Sequence, residues 1–328
     1  MSMKLEEFAR ESRATHKGDK SGVPIVGLEH LIPQEIKFSG YDVDTENTFT
    51  KTFKKGQILF GRRRAYLKKA AIADFDGICS GDITVIEAIP GKVDPLLLPF
   101  IIQNDKFFDY AVSRSAGGLS PRVKWEHLKD YEFDLPPIEE QRILADKLWA
   151  AYRLKESYKK LLTATQEMVK SQFIEMFKGD NQVPLGDICN IEKGATITRN
   201  DVLPGEVPVV AGGQEPSCYH NVANREAGAI TVSASGAYAG YINFWNCPIF
   251  ASDCNTIISK DDEKTDQTFV YFGLRAMQKQ IYGLQKGGAQ PHVYGKDLQK
   301  FMFPCPSYAK QIEFSKMAKQ ADKSEYYN

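Results

Sequence analysis

Apolar positions along this chain follow two different periods. From Ile138 to Lys178 there is neither Gly nor Pro, and Leu144, Leu148, Ala151/Tyr152, Leu161/Leu162, Met168/Val169, Phe173 and Met176/Phe177 recur at helical spacing, as on one helical face. Pro136-Pro137 stand before the run, Glu139, Glu140 and Gln141 fill its first turn, and Gly179-Asp180-Asn181 follow it. These are the residues that start and stop a helix. A helix over 138–178 is predicted, a rod of roughly 60 Å. A rod of that length needs a partner helix to cover its apolar stripe. The obvious partner begins near Ala309, where Ile312, Phe314, Met317 and Ala318 form a shorter stripe.

Elsewhere the pattern is that of strands. Gly56-Gln57-Ile58-Leu59-Phe60 and Ile83-Thr84-Val85-Ile86 precede the long helix, and Ala229-Ile230-Thr231-Val232-Ser233 and Thr256-Ile257-Ile258 follow it, with Gly, Asn and Asp between them. Runs rich in β-branched and aromatic residues between such punctuation predict extended segments. One short amphipathic helix is expected in each half, near Leu96–Tyr110 and near Gln267–Gln280.

The two halves are copies. Gly117-Gly118-Leu119-Ser120-Pro121-Arg122-Val123 aligns with Gly287-Gly288-Ala289-Gln290-Pro291-His292-Val293, 170 residues on. The same offset joins Leu128 to Leu298, Phe133 to Phe303, Pro136 to Pro306 and Gln141 to Gln311. Upstream, Val23-Pro24-Ile25-Val26 matches Val207-Pro208-Val209-Val210 at an offset of 184. The first copy is therefore the longer between these landmarks. Fixed-register self-similarity of this kind marks a duplicated structural unit. Length differences inside it suit either loops of differing specificity or ordinary drift.

Composition adds limits. The 328 residues are 42% hydrophobic and 26% charged, ordinary for globular material with length for two domains. Lys plus Arg equals Asp plus Glu, 42 each, which argues against a purely electrostatic nucleic-acid binder. The balance is uneven, however. Residues 1–70 hold 14 basic against 9 acidic side chains, with Arg62-Arg63-Arg64 and Lys68-Lys69 prominent, whereas residues 181–300 hold 10 against 12. The six cysteines, Cys79, Cys189, Cys218, Cys247, Cys254 and Cys305, form no C-x-x-C pair, so buried thiols of a reducing cytosol are expected rather than a disulfide or zinc framework. The opening Met1-Ser2-Met3-Lys4-Leu5 lacks the apolar run of a signal peptide, and no run of about 18 apolar residues suggests a membrane helix. A cytoplasmic location is expected.

Catalytic signatures are missing. The sole Pro-Pro, in Asp134-Leu135-Pro136-Pro137, reads as a helix entry and not as the flipped-base loop of an adenine methyltransferase. Gly236-Ala237-Tyr238-Ala239-Gly240 lacks the spacing of a nucleotide fingerprint, and no P-loop occurs. Asp82 and Glu87 lack the Glu-x-Lys context of a nuclease metal site. The histidines (His16, His30, His127, His220, His292) show no metal-ligand spacing. Ser233-Ala234-Ser235-Gly236 is no nucleophile elbow. No catalysis and no metal are expected of this chain.

The paired Gly-Gly-x-x-Pro-x-Val segments, and Phe133-Asp134-Leu135-Pro136-Pro137-Ile138-Glu139-Glu140-Gln141 with its weaker echo Phe303-Pro304-Cys305-Pro306 and Gln311, resemble the specificity (S, HsdS) subunits of type I restriction-modification systems, over essentially the whole chain. The resemblance implies an α/β (α+β) fold. It has two similar target-recognition domains, each β-rich with short helices, and long helices pairing as an antiparallel coiled coil. Placed on this chain it gives a first recognition domain over 1–135, the long helix over 136–180, a second domain over 181–306 and a second helix over 307–328. It implies that each domain reads one half of a bipartite double-stranded DNA target and that the helices set the spacing. It also implies that two methyltransferase (M) subunits and then restriction (R) subunits join. S-adenosylmethionine, ATP and Mg would belong to those partners. The family's second helix matches the first in length, whereas about 20 residues follow Ala309 here. The partner of the long helix is therefore left open between this chain, another chain and an M subunit. A type IIB-like enzyme's specificity subunit, or a coiled-coil adaptor with degenerate domains, would share these features.

Base readout needs Arg, Lys, Asn, Gln, Ser or Thr on loops and element ends. The candidates are Arg62, Arg63, Arg64, Tyr66, Arg114, Ser115, Arg122 and Lys124 in the first copy, and Ser233, Ser235, Tyr238, Tyr241, Lys286, Gln290 and His292 in the second. Plainer readings stand beside this one. Arg62–Arg64 suit a solvated turn, the Gly-Gly loops suit structural turns, and the two tyrosines suit packed strand positions. Some would contact phosphate rather than bases.

Overall fold

The computed structural model describes residues 2–321 and divides into two compact units, Met1–Glu156 and Ser157–Asn328. The division falls within the long helix, Ile138–Met176. Each unit is described by itself.

The first unit contains a four-stranded antiparallel sheet in the order Ala9–Ser12, Ile83–Ala88, Ile58–Gly61, Ala70–Ile72. A three-stranded sheet accompanies it, in which Ile25–Val26 runs parallel to Gly77–Cys79 and Lys51–Phe53 runs antiparallel to it. Strand Ser2–Lys4 pairs with Glu132–Asp134 just before the long helix and so closes the unit. The second unit repeats the four-stranded order, the parallel pair and the closing pair, but its third small strand, Cys218–His220, pairs antiparallel with Val207–Val210 rather than with the counterpart of Gly77–Cys79. Cys189–Lys193, Cys254–Ser259, Ala229–Ser233 and Ile242–Trp245 form its four-stranded sheet. Val207–Val210 lies parallel to Phe250–Ala251, and Gln182–Pro184 closes against Met302–Pro304. The fold is mixed α and β, as the pattern predicted.

The expected short helices are each broken in two: Leu98–Ile102 and Asp105–Ser113 in the first unit, Gln267–Ala276 and Gln278–Tyr282 in the second. In the first, Asn104 breaks the run, because its extended backbone and its side chain, which accepts from the Lys106 N–H, cap a new helix start.

Gln141 and Gln311 explain their repetition. Both are buried in the first turn of their helices. Gln141 Oε1 accepts from the Asp94 N–H at 2.9 Å and its Nε2 donates to the Pro136 carbonyl at 2.8 Å. Gln311 makes the same pair with Asp266 (3.0 Å) and Pro306 (3.0 Å). One side chain thus satisfies a buried loop amide and an orphan carbonyl at the helix entrance in each unit.

In the second unit the second helix, Tyr308–Ala321, packs on the last turns of the long helix. Lys310 meets Asp180 at 3.5 Å and Phe314 meets Phe177 and Phe173, so the two run antiparallel. Phe269 and Phe303 complete this aromatic core. The remainder of the predicted second helix, 322–328, lies outside the described residues. Between Tyr152 and Val169 the long helix buries no side chain, leaving Leu154, Tyr158 and Leu161 exposed. Among the described residues no helix is long and apolar enough to cross a membrane.

Candidate nucleic-acid interface

In both units the strand after the first landmark runs past its sheet into a turn, and the Gly-Gly loop is hydrogen-bonded onto that turn. In the first unit the Val123 N–H donates to the Arg62 carbonyl (3.0 Å), the Arg64 N–H to Pro121 (2.8 Å), the Arg62 N–H to Asp82 (2.9 Å) and the Ala116 N–H to Arg122 (3.0 Å). In the second, Val293 donates to Ala234 (2.9 Å), Gly236 to Pro291 (3.1 Å), Ala234 to Asp253 (3.1 Å) and Lys286 to His292 (2.9 Å). Bond for bond, the frames are the same. Gly117 and Gly287 turn the loop at φ +114° and +96°, a conformation that L residues rarely adopt.

The frame brings candidate residues into equivalent places. Arg63 corresponds to Ser235 and Arg122 to His292, with an isolated bridge joining Arg63 to Arg122 in the first unit and Ser235 to His292 in the second. Arg64 and Gly236 both take left-handed backbone, at φ 53° and 83°, as do Lys68 and Gly240 four residues later. Between them the turns present Tyr66, 52% exposed, and Tyr238, 47% exposed. The packed-strand reading of Tyr238 is thereby set aside.

Around this shared frame the side chains differ. In the first unit Asp82 is the hub. Arg122 Nε lies 2.6 Å from its Oδ1, Arg122 Nη2 3.2 Å from its Oδ2, and Arg63 Nη1 3.5 Å from Oδ2. Arg63 Nη2 also donates to Ser120 Oγ at 3.0 Å. The hydrogen bond from Arg122, and then the charges of Arg122, Arg63 and Arg62, hold the Asp82 carboxyl below its ordinary range against the effect of burial. Arg62, whose Nε is buried without a hydrogen-bond partner, lines a cleft of about 550 Å³ with Lys124, Trp125, His127 and Arg13, the last paired with Glu11 and Glu126, which line it too. Arg64 is exposed. Arg114 lies over the Tyr110 ring at 5.3 Å, and Ser115 Oγ donates to the Ala111 carbonyl. Ser115 is thus tied to its own helix end.

In the second unit Asp253 takes the place of Asp82 and accepts from Ser235 Oγ. His292 stacks on Tyr294, with ring planes 19° apart. Lys286 pairs with Asp297 at 2.7 Å, and Gln290 is exposed. Tyr241 is half-buried, with the Arg275 guanidinium 5.5 Å from its ring. Ser233 lies inside its sheet, 4% exposed, and does not open onto this surface.

Asp82, Asp253, Ser120 and Tyr294 belong to these surfaces, yet sequence reasoning did not select them. The repeat held the signal: Ser80-Gly81-Asp82 and Ser252-Asp253 both stand just before a core strand.

The remaining chemistry-bearing groups are quiet. All six cysteines are free, and burial pushes the thiols of Cys79, Cys189 and Cys254 up to about 12, far from nucleophilic use. Glu29, His30 and Asp42 lie within 4.8 Å of one another. His30 Nδ1 accepts from the Gly27 N–H and its Nε2 faces Asp42 at 3.6 Å. This arrangement ties a loop together.

Comparisons with known proteins bear on the whole chain. The family model of the type I restriction modification DNA specificity domain matches residues 8–164 and again 179–325. The type I restriction enzyme EcoDI specificity subunit of Escherichia coli is 27% identical over 173 residues, 49% of this chain and 38% of that protein. A protein of Methanocaldococcus jannaschii assigned as the type I restriction enzyme MjaX specificity subunit is 23% identical over 97% of this chain and 84% of its own length. The crystal structure of the type I restriction-modification S subunit from M. genitalium superposes with a TM-score of 0.63 at 16% identity, covering 99% of this chain and 89% of that one. The likeness to that structure is one of fold.

Proposed function

The chain belongs to the family of type I restriction-modification DNA specificity domains and carries that domain twice; from this we propose that it is the DNA-specificity subunit of a restriction-modification complex. Each unit reads one half of a bipartite duplex target. The helices set the distance between half-sites and bind methyltransferase subunits, two of them by the symmetry of the repeat, to which restriction subunits add. The chain carries out no chemistry itself, and S-adenosylmethionine, ATP and Mg belong to its partners.

The observation that carries this reading is the pair of matched frames. The same backbone hydrogen bonds present Arg63, Arg64 and Arg122 in one unit and Ser235, Gly236 and His292 in the other. A constant support with differing donor and acceptor groups is what two readers of unlike base sequences require. Tyr66 and Tyr238 stand at the exposed apex of each surface. Arg62, Arg114, Lys124, Lys286 and Gln290 flank them as phosphate or base contacts.

Methylome sequencing of the host with and without the gene tests the proposal. A split adenine-methylation motif is expected to vanish on deletion and to return with the gene. An unchanged methylome would sink it.

A further inference from the structure

Both surfaces rest on an acid in the same place, but only in the first unit does that acid hold arginine. Asp82 engages Arg122 along one edge through Nε and Nη2, and Arg63 through Nη1. A guanidinium gripped on one edge keeps its other N–H donors aimed in a fixed direction, and so loses less freedom on meeting a flat pair of acceptors. The neighbouring carboxylate also offsets the positive charge. That weakens attraction to phosphate, which depends on charge, and leaves hydrogen-bond geometry intact. The O6 and N7 atoms of guanine form the base edge that an arginine fork matches. Building on the proposed function, we propose that Asp82 is the positioning residue of the first unit's readout, and that Arg122 reads guanine in that unit's half-site, while Arg63, held by Asp82 and Ser120, braces the same carboxylate. In the second unit Asp253 holds Ser235 instead, so this element supplies no guanine contact there.

The test offers the chain, in complex with its methyltransferase subunits, a fully randomised duplex DNA library and reads the bound sequences. Exchange of residues 1–135 identifies the half that the first unit reads. The expected result is a two-part sequence with a required guanine in that half. Arg122→Lys keeps the charge but loses the fork. It should cut the preference for that guanine about tenfold or more, leaving the other half and the salt dependence unchanged. Asp82→Asn should produce the same loss without weakening binding to unrelated DNA. If Asp82→Asn does not fold, as judged by thermal unfolding, Arg122→Lys alone decides. Uniform weakening on every sequence with a shallower salt dependence would mark a phosphate contact and overturn the inference. A two-part sequence with no guanine in the first unit's half overturns it alone. A library from which no two-part sequence emerges overturns the proposed function with it.

Discussion

Gln141 and Gln311 each answer two backbone groups that would otherwise be buried without partners, one in the loop before the short helices and one at the helix entrance. Either glutamine changed to Ala should destabilise its unit by about 1–3 kcal/mol, the usual cost of a buried unsatisfied group, as read by urea unfolding. Asp82 gives a second prediction. Its folded-state pKa lies below the unfolded one, chiefly through the hydrogen bond from Arg122. Its contribution to stability is therefore complete above the ordinary carboxylate value of about 4 and disappears as pH falls through the lowered value. Unfolding followed from neutral pH downward should show this acid-dependent component in the native chain and its loss in Asp82→Asn. At this scale the sequence was partly legible. The repeated Gln was visible as a repeat, but its role was not, because both partners are backbone groups that carry no sequence signature. Asp82 was visible as an acid, but its arginines lie 19 and 40 residues away in sequence, and a single copy does not reveal such pairing.

Among the elements, the turn that carries Tyr66 and Tyr238 uses two chemistries for one backbone. Glycine supplies the left-handed positions in the second unit, and Arg64 and Lys68 supply them in the first. A Cβ at Gly236 would meet nothing within 4 Å, so Gly236→Ala should cost about 1–2 kcal/mol through backbone conformation alone. Arg64→Gly, which relieves the same strain, should leave stability unchanged or slightly raised while weakening DNA binding. Chemical denaturation alongside a DNA-binding assay separates the two effects. Strands and the long helix were legible because their periods are strong and their ends carry Pro, Gly and acidic signals. The breaks in the short helices were not, since a capping Asn inside an apolar run looks like one more helical residue. The predicted apolar stripe of the long helix also has a finer form than its period suggests. Its last turns are buried by Phe314 and the second unit's core, while Leu144, the counterpart of Phe314 in the first unit, is 41% exposed.

For the whole molecule, the duplication was the most legible feature, because an offset of 170 joins turn, strand and helix residues alike. Which side chains gather on each surface was less legible. Ser233 and Ser235 are two residues apart, yet one is inside a sheet and the other bonded to Asp253. Modularity yields a prediction at this scale. Replacing residues 1–135 by another domain of the family should change one half of the methylated sequence and leave the other, as read by methylome sequencing. A change in both halves would count against one unit reading one half-site.

The frames that carry the two surfaces are built from main-chain hydrogen bonds, which constrain the residue type chiefly at their left-handed positions, Arg64 and Lys68 or Gly236 and Gly240. Arg62 and Ala234, or Arg122 and His292, occupy the same place in the two frames. On the proposed function, a substitution at such a position would change the target while the main-chain frame is kept. The core beside them has no such liberty. On that reading, what is recognised and what supports the recognising surface are separable within one unit.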